Sequence, residues 1–248
     1  MENPVKYVAQ LKHVREVSLL GTADLAYWND HLAADGHRAA ERDGQAQIKI
    51  ISADGRFAGI RFRELSVSVL ITPPNNRPGR EAAFLVQAFN SSRMFAFCER
   101  TFFATPYAHG DVRVSVSSPV SIHLNMRGEI LFGAQMQSLP STPERTTTLS
   151  ADQQWEGPVF LPNGYRRIGR DSRFFFARIA GYTRTFPFDP STDVLTFAPS
   201  ERCHAFRALA DSRFVAKEWT VREDAVHCKS KTYRSAAMSF GPPAMQMI

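Results

Sequence analysis

Residues 45–71 read QAQIKIISADGRFAGIRFRELSVSVLI, and this stretch decides the fold class. Residues 45–52 alternate in the manner of a strand, Asp54-Gly55 carries the strongest short hairpin signal, and residues 56–71 form a long return strand. The period of two puts Phe62, Glu64, Ser66 and Ser68 on one face of the return strand. Arg61, Arg63, Leu65, Val67 and Val69 take the other. In the first arm Lys49 lies opposite Ile48 and Ile50. If its face meets solvent, Lys49 is an ordinary surface charge. If the face lines an interior, Lys49 is a desolvated amine of lowered pKa, as suits a nucleophile. Glu64, a carboxylate on a Phe/Ser face, is a candidate acid or base, a solvated residue, or half of a cross-strand ion pair.

Working outward, residues 14–20 predict a strand. Thr22 can cap a helix over 23–34, with Leu25, Trp28 and Leu32 on one face and Gly36 beyond its end. Towards the C-terminus, residues 82–90 predict a strand and 92–103 a short helix stopped by Pro106. Residues 111–118, 120–126 and 129–137 predict a meander. The polar run 139–154 reads as a surface loop. Strands follow at 155–161, 172–183 and 193–197, a helix at 203–210, and strands at 213–221 and 225–234. The sum is a mainly β, α+β chain. It is expected to be a single domain over 1–248, an antiparallel closed or cone-like barrel or sandwich with a few flanking helices.

Composition narrows the functions. The 248 residues carry a formal charge of +6, with 24 Arg against 6 Lys spread along the chain without a dense block. Specific nucleic-acid binding is therefore not expected. The aromatic–arginine run at 173–188, RFFFARIAGYTRTFPF, could stack bases, but it alternates like a half-buried strand. No apolar run approaches the roughly 20 residues that cross a bilayer, and no secretory signal is read in MENPVKYVAQLKHVRE. Three cysteines, Cys98, Cys203 and Cys228, without paired spacing suit a reducing cytoplasm. Cys203-His204 and His227-Cys228 would each present one ligand to one face of a strand, so no metal site is expected. There is no phosphate-binding glycine loop and no nucleophile elbow, and no cofactor is expected. What remains is polar residues in apolar strands: Lys49, Glu64, Tyr107 as a pocket hydroxyl donor or a packed ring with its OH at the rim, and His109 at a strand entry, a hydrogen-bonded structural residue or a site group. His227, Lys229, Lys231 and Tyr233 share one face of the last strand, which reads as a solvated edge or the polar wall of a cleft.

Three segments resemble the acetoacetate decarboxylase-like superfamily in order and spacing over residues 13–137. They are Val14-Arg15-Glu16-Val17 leading to Thr22-Ala23-Asp24-Leu25, then Phe62-Arg63-Glu64, then Glu99-Arg100-Thr101 followed by Pro106. The resemblance implies a cone-like antiparallel barrel, a homo-oligomer, and a pocket in which a lysine forms an imine with a β-keto acid. This chain departs from it where that lysine would stand: Pro106 is followed by Tyr107 and Ala108. Counting fifteen residues back from Glu64, where the family has a second glutamate, lands on Lys49. The expectation is a lyase-type enzyme of the decarboxylase, dehydratase, aldolase or cyclase kind, set in specialised metabolism and the cytoplasm, acting on a carbonyl or carboxylate small molecule. Glu64, Lys49 and Tyr107 would be catalytic, with Arg15 as anion clamp and His109 and Arg100 as substrate contacts. The alternative is a non-catalytic binding protein for an anionic metabolite.

Overall fold

The computed structural model describes residues 5–72, 81–137, 149–163, 173–200 and 203–234. In chain order the described elements begin with β1 (Tyr7–Asp24), α1 (Leu25–Ala33), β2 (Glu41–Arg42), β3 (Gln45–Phe57), β4 (Ile60–Ile71) and β5 (Ala82–Asn90). Next come α2 (Arg93–Phe102), β6 (Tyr107–His109), β7 (Asp111–Ser115), β8 (Val120–Met126), β9 (Glu129–Met136) and β10 (Leu149–Leu161). The chain continues with β11 (Arg173–Pro187), β12 (Val194–Phe197), α3 (His204–Asp211), β13 (Val215–Ser230) and β14 (Tyr233–Arg234).

The strands form a large sheet in the order β1-β13-β11-β10-β5-β4-β3-β2, with β14 beside β11 and β6 beside β5, and a four-stranded sheet β12-β9-β8-β7. Strand β1 pairs with both β13 and β3, so the first strand is hydrogen-bonded on both sides. The large sheet is mixed and not wholly antiparallel as expected: β5 runs parallel to β10 and to β6. The β6 pairing arises because the chain leaves β5 through α2 and returns alongside, the crossover that parallel neighbours require.

One face of the large sheet carries Val17, Leu19, Ile48, Ile50, Leu65, Val67 and Val69. All are fully buried against the small sheet (Val112, Ile122, Phe132), α1 (Trp28, Leu32) and α3 (Phe206, Leu209). Each such side chain contributes roughly 1.5–3 kcal/mol of burial. The opposite face holds a smaller cluster of Ala83, Leu85, Ala88, Tyr107, Val159, Leu161 and Phe175. This second face also carries Glu16, Lys49 and Glu64.

Several local readings shift. The hairpin turns at Ala58-Gly59, both at positive φ, and not at Asp54-Gly55, which stay in strand β3. Asp54 is 4% exposed because Arg15, Arg61 and Arg63 surround it, so its carboxylate is satisfied inside the ladder. Helix α1 is capped by Asp24, whose carboxylate accepts from the Tyr27 amide at 2.8 Å, and not by Thr22. Residues 149–154 of the expected loop are strand, paired with β11, while 138–148 lie outside the described residues. The two strands expected at 213–221 and 225–234 are one strand, β13, followed by the short β14.

Candidate active site

Register places the site. Along β3 and β4 the pairs Lys49↔Ser68, Ile51↔Ser66 and Ala53↔Glu64 share the second face. On β1 the same rows continue as Leu20, Ser18 and Glu16, and on β13 as Glu218, Thr220 and Arg222. The alternation that hides Leu65 and Val67 in the main core therefore turns Glu64 and Lys49 together to the other side.

Glu16 is the most enclosed charge there, fully buried. Ser18 Oγ donates to its Oε1 at 2.7 Å, His227 Nε2 lies 2.6 Å from its Oε2, and Arg222 pairs with Oε1. Arg222 Nε in turn donates to Thr183 Oγ1 at 2.7 Å. Burial works against the Glu16 charge, but the hydrogen bond and charge of His227 and the charge of Arg222 outweigh it and hold the carboxyl well below the usual range.

Glu64 is shifted the other way. Burial is the main cause, and the nearby Glu99 carboxylate adds to it; Lys229 and a hydrogen bond from Tyr107 oppose. Tyr107, at the start of β6, is pushed well above its ordinary value by burial and by Glu64. Its hydroxyl therefore stays a donor. Lys229 projects from β13 into three aromatic rings, 4.6 Å from the Phe175 centroid, 5.0 Å from Phe103 and 5.6 Å from Tyr107. Its ammonium pairs with Glu99 Oε2, which also accepts from Thr105 Oγ1 at 2.8 Å. Lys49 is desolvated, which lowers its pKa against the pull of Glu16. A buried carboxyl of raised proton affinity beside a hydroxyl donor and an ammonium is a candidate acid–base group.

The structure thus brings Lys49, Glu64 and Tyr107 to one face. It does not bring Arg15, His109 or Arg100 to them. Arg15 projects from the opposite side of β1 and is half-exposed, donating to Asp54 Oδ2 at 2.8 Å. Arg100 is exposed in the last turn of α2; its neighbour Glu99 is the residue that reaches Lys229. His109 is exposed and lines a surface hollow of about 450 Å³ with Arg93, Asp111, Asn125, Met126 and Arg127. Sequence reasoning missed the roles of Glu16, Glu99 and Arg222. The spacing-two row at His227 and Lys229 was the signal that pointed towards this wall.

No protein-family model matches the chain, and no curated protein sequence matches it. Solved structures do: the fold is that of the acetoacetate decarboxylase-like enzymes. Among them, acetoacetate decarboxylase from Legionella pneumophila is 12% identical with a TM-score of 0.57, over 94% of this chain and 91% of that one. The enduracididine biosynthesis enzyme MppR in complex with pyruvate is 11% identical with a TM-score of 0.60, over 93% and 91%. An acetoacetate decarboxylase-like enzyme from Sphingomonas wittichii RW1 is 12% identical with a TM-score of 0.53, over 91% of each chain. Among the described residues no helix is long and apolar enough to cross a membrane.

Proposed function

We propose that this protein is a small-molecule enzyme that moves a proton on the carbon beside a carbonyl, its substrate held against the second face of a large sheet that wraps into a cone. The observation that carries this reading is Glu64, a carboxyl whose proton affinity is raised by burial and Glu99, set beside the Tyr107 hydroxyl and the Lys229 ammonium on the second face. A carboxyl of raised proton affinity is, once ionised, a stronger base than an ordinary carboxylate. Glu64 would take the α-proton while the C–H electron pair moves into the carbonyl as an enolate. The Tyr107 hydroxyl and the Lys229 ammonium lie beside Glu64 and would stabilise the enolate oxygen. Return of the proton to another carbon, or loss of a leaving group, completes the turnover. The Arg222–Glu16–His227 cluster holds its strands in register and is not in the reacting path. The fold relatives include an enzyme captured with pyruvate and with a condensation product of pyruvate, which favours carbonyl compounds as the substrate class.

The test is deuterium exchange into the methyl group of pyruvate, followed by NMR. Glu64→Gln is expected to slow exchange about 10²-fold or more, and Tyr107→Phe less. The wild-type rate should rise with pH through a Glu64 pKa above the ordinary 4.5. Exchange as fast in Glu64→Gln as in the wild type sinks the assignment. A second reading, a binding protein for an anionic metabolite, rests on Tyr107 following Pro106 where a lysine is expected. It predicts ligand uptake with no exchange at all.

A further inference from the structure

Two buried polar atoms on the second face, Thr22 Oγ1 and Gln47 Nε2, have no hydrogen-bond partner among the described residues. They are not scattered. Thr22 and Gln47 face each other across the β1–β3 ladder, and Lys49, two residues along β3 on the same face, is paired with Ser68 of β4. Gln47 is 8% exposed and Ser68 likewise. Among the described residues Lys49 has no carboxylate within ion-pair distance, although Glu16, Glu81 and Glu218 are near enough to act on its charge. A buried amide N–H without an acceptor destabilises the folded chain. That cost on one face, beside a desolvated ammonium and two hydroxyls, describes a set of donors converging on a missing acceptor.

The geometry points to a carboxylate-binding subsite formed by Thr22, Gln47, Lys49 and Ser68, which takes a carboxylate of the substrate remote from its reacting carbonyl. This rests on the proton-transfer reading only for the position of the carbonyl end. Ser68 lies four residues from Glu64 along β4, roughly 13 Å of strand. The long Lys49 and Glu64 side chains shorten the gap, so a chain of about six or seven carbons with a carboxylate at each end fits both. Four charged groups around the subsite act on Lys49: Glu16, Glu81 and Glu218 would oppose a second anion, and Arg222 would attract one. Burial favours the neutral form of Glu218, against the pull of Arg42 and Lys49. Lys49, the one ionisable donor of the four, makes this end selective for charge and not for length alone when it meets a carboxylate.

The experiment compares 2-oxoadipate with 2-oxohexanoate, which have the same carbon count but two carboxylates against one, by titration calorimetry on the intact chain. The expected result is at least about 10-fold tighter binding of 2-oxoadipate. Gln47→Leu should reduce that preference several-fold and, by removing the orphan amide, raise the melting temperature of the ligand-free protein. Lys49→Met should abolish the preference. Equal binding of the two acids by the wild type overturns the inference, as does a preference that survives in both variants. Borohydride trapping of either acid on Lys49 also overturns it, because an imine would make Lys49 a nucleophile and not a clamp. Pyruvate exchange by the wild type separates this from the broader reading. Exchange without a preference sinks the subsite alone; a preference without exchange sinks the proton-transfer scheme and leaves the subsite standing.

Discussion

Replacing Arg222 by Met breaks the most enclosed ion pair described in the molecule, and the size of the loss follows from its burial. Glu16 is 0% exposed and the Arg222 side chain 4%, so neither charge can turn to water when the other is removed. Removing one member of such a pair costs about 3–5 kcal/mol, and the Ser18 and His227 contacts that Glu16 keeps place the loss towards the lower end. For a chain of this size each kcal/mol lowers the melting temperature by roughly 2–4 °C, so Arg222→Met should melt about 6–20 °C lower. Urea unfolding followed by circular dichroism measures the loss as a shift in midpoint at constant slope. The double variant Glu16→Gln/Arg222→Met should recover much of it, because it leaves no uncompensated charge. The pH dependence has a definite sign. The folded-state pKa of Glu16 is depressed, so its contribution is complete above the unfolded value near 4.5 and is lost as pH falls towards the folded one. Glu16→Gln should therefore flatten the acid limb of the stability curve. A loss under about 1 kcal/mol in Arg222→Met would show that water reaches the pair and would refute the reasoning.

Arg15→Ala should cost no more than about 1 kcal/mol in the same assay, because Arg15 is half-exposed and Asp54 keeps Arg61 and Arg63. It should leave pyruvate exchange unchanged, whereas an anion clamp would lose affinity. Gly21→Ala should destabilise by roughly 1–3 kcal/mol or prevent folding, since its Cβ would stand 2.4 Å from both a Phe214 ring carbon and the Val215 carbonyl oxygen. A thermal melt within 1 °C of wild type would contradict the tight β1–β13 approach.

Where the chain writes one signal, the fold is legible. The runs at Ala82–Asn90 and Val120–Met126 are bounded by polar turns, and the strands match the reading residue for residue. Where two signals compete, it is not. Asp54-Gly55 has turn chemistry, but three arginines brought from β1 and β4 neutralise Asp54 and keep it in strand, a tertiary effect that no local window contains. The gap expected between 221 and 225 lies inside β13, where Glu223 and Asp224 are exposed and a strand crosses them at little cost. At the site, the alternation of β4 correctly separated Glu64 from Leu65. On β1 both faces are apolar around Arg15-Glu16, so parity gave no guide, and the family motif drew attention to the outer residue of the pair. Lys229 and Glu99 lie 130 positions apart, and only the pairing of β13 across the sheet brings them together.

The double engagement of β1 has a consequence for how the molecule is made. Residues 7–24 must wait for partners at 215–230 before one flank of the first strand is sealed. During synthesis that flank is an open edge of unpaired amides and carbonyls, with Val17 and Leu19 uncovered until α3 and the small sheet arrive. Such a topology delays completion until almost the whole described chain has left the ribosome. Truncations that remove β13 should therefore yield insoluble product and not a smaller working unit.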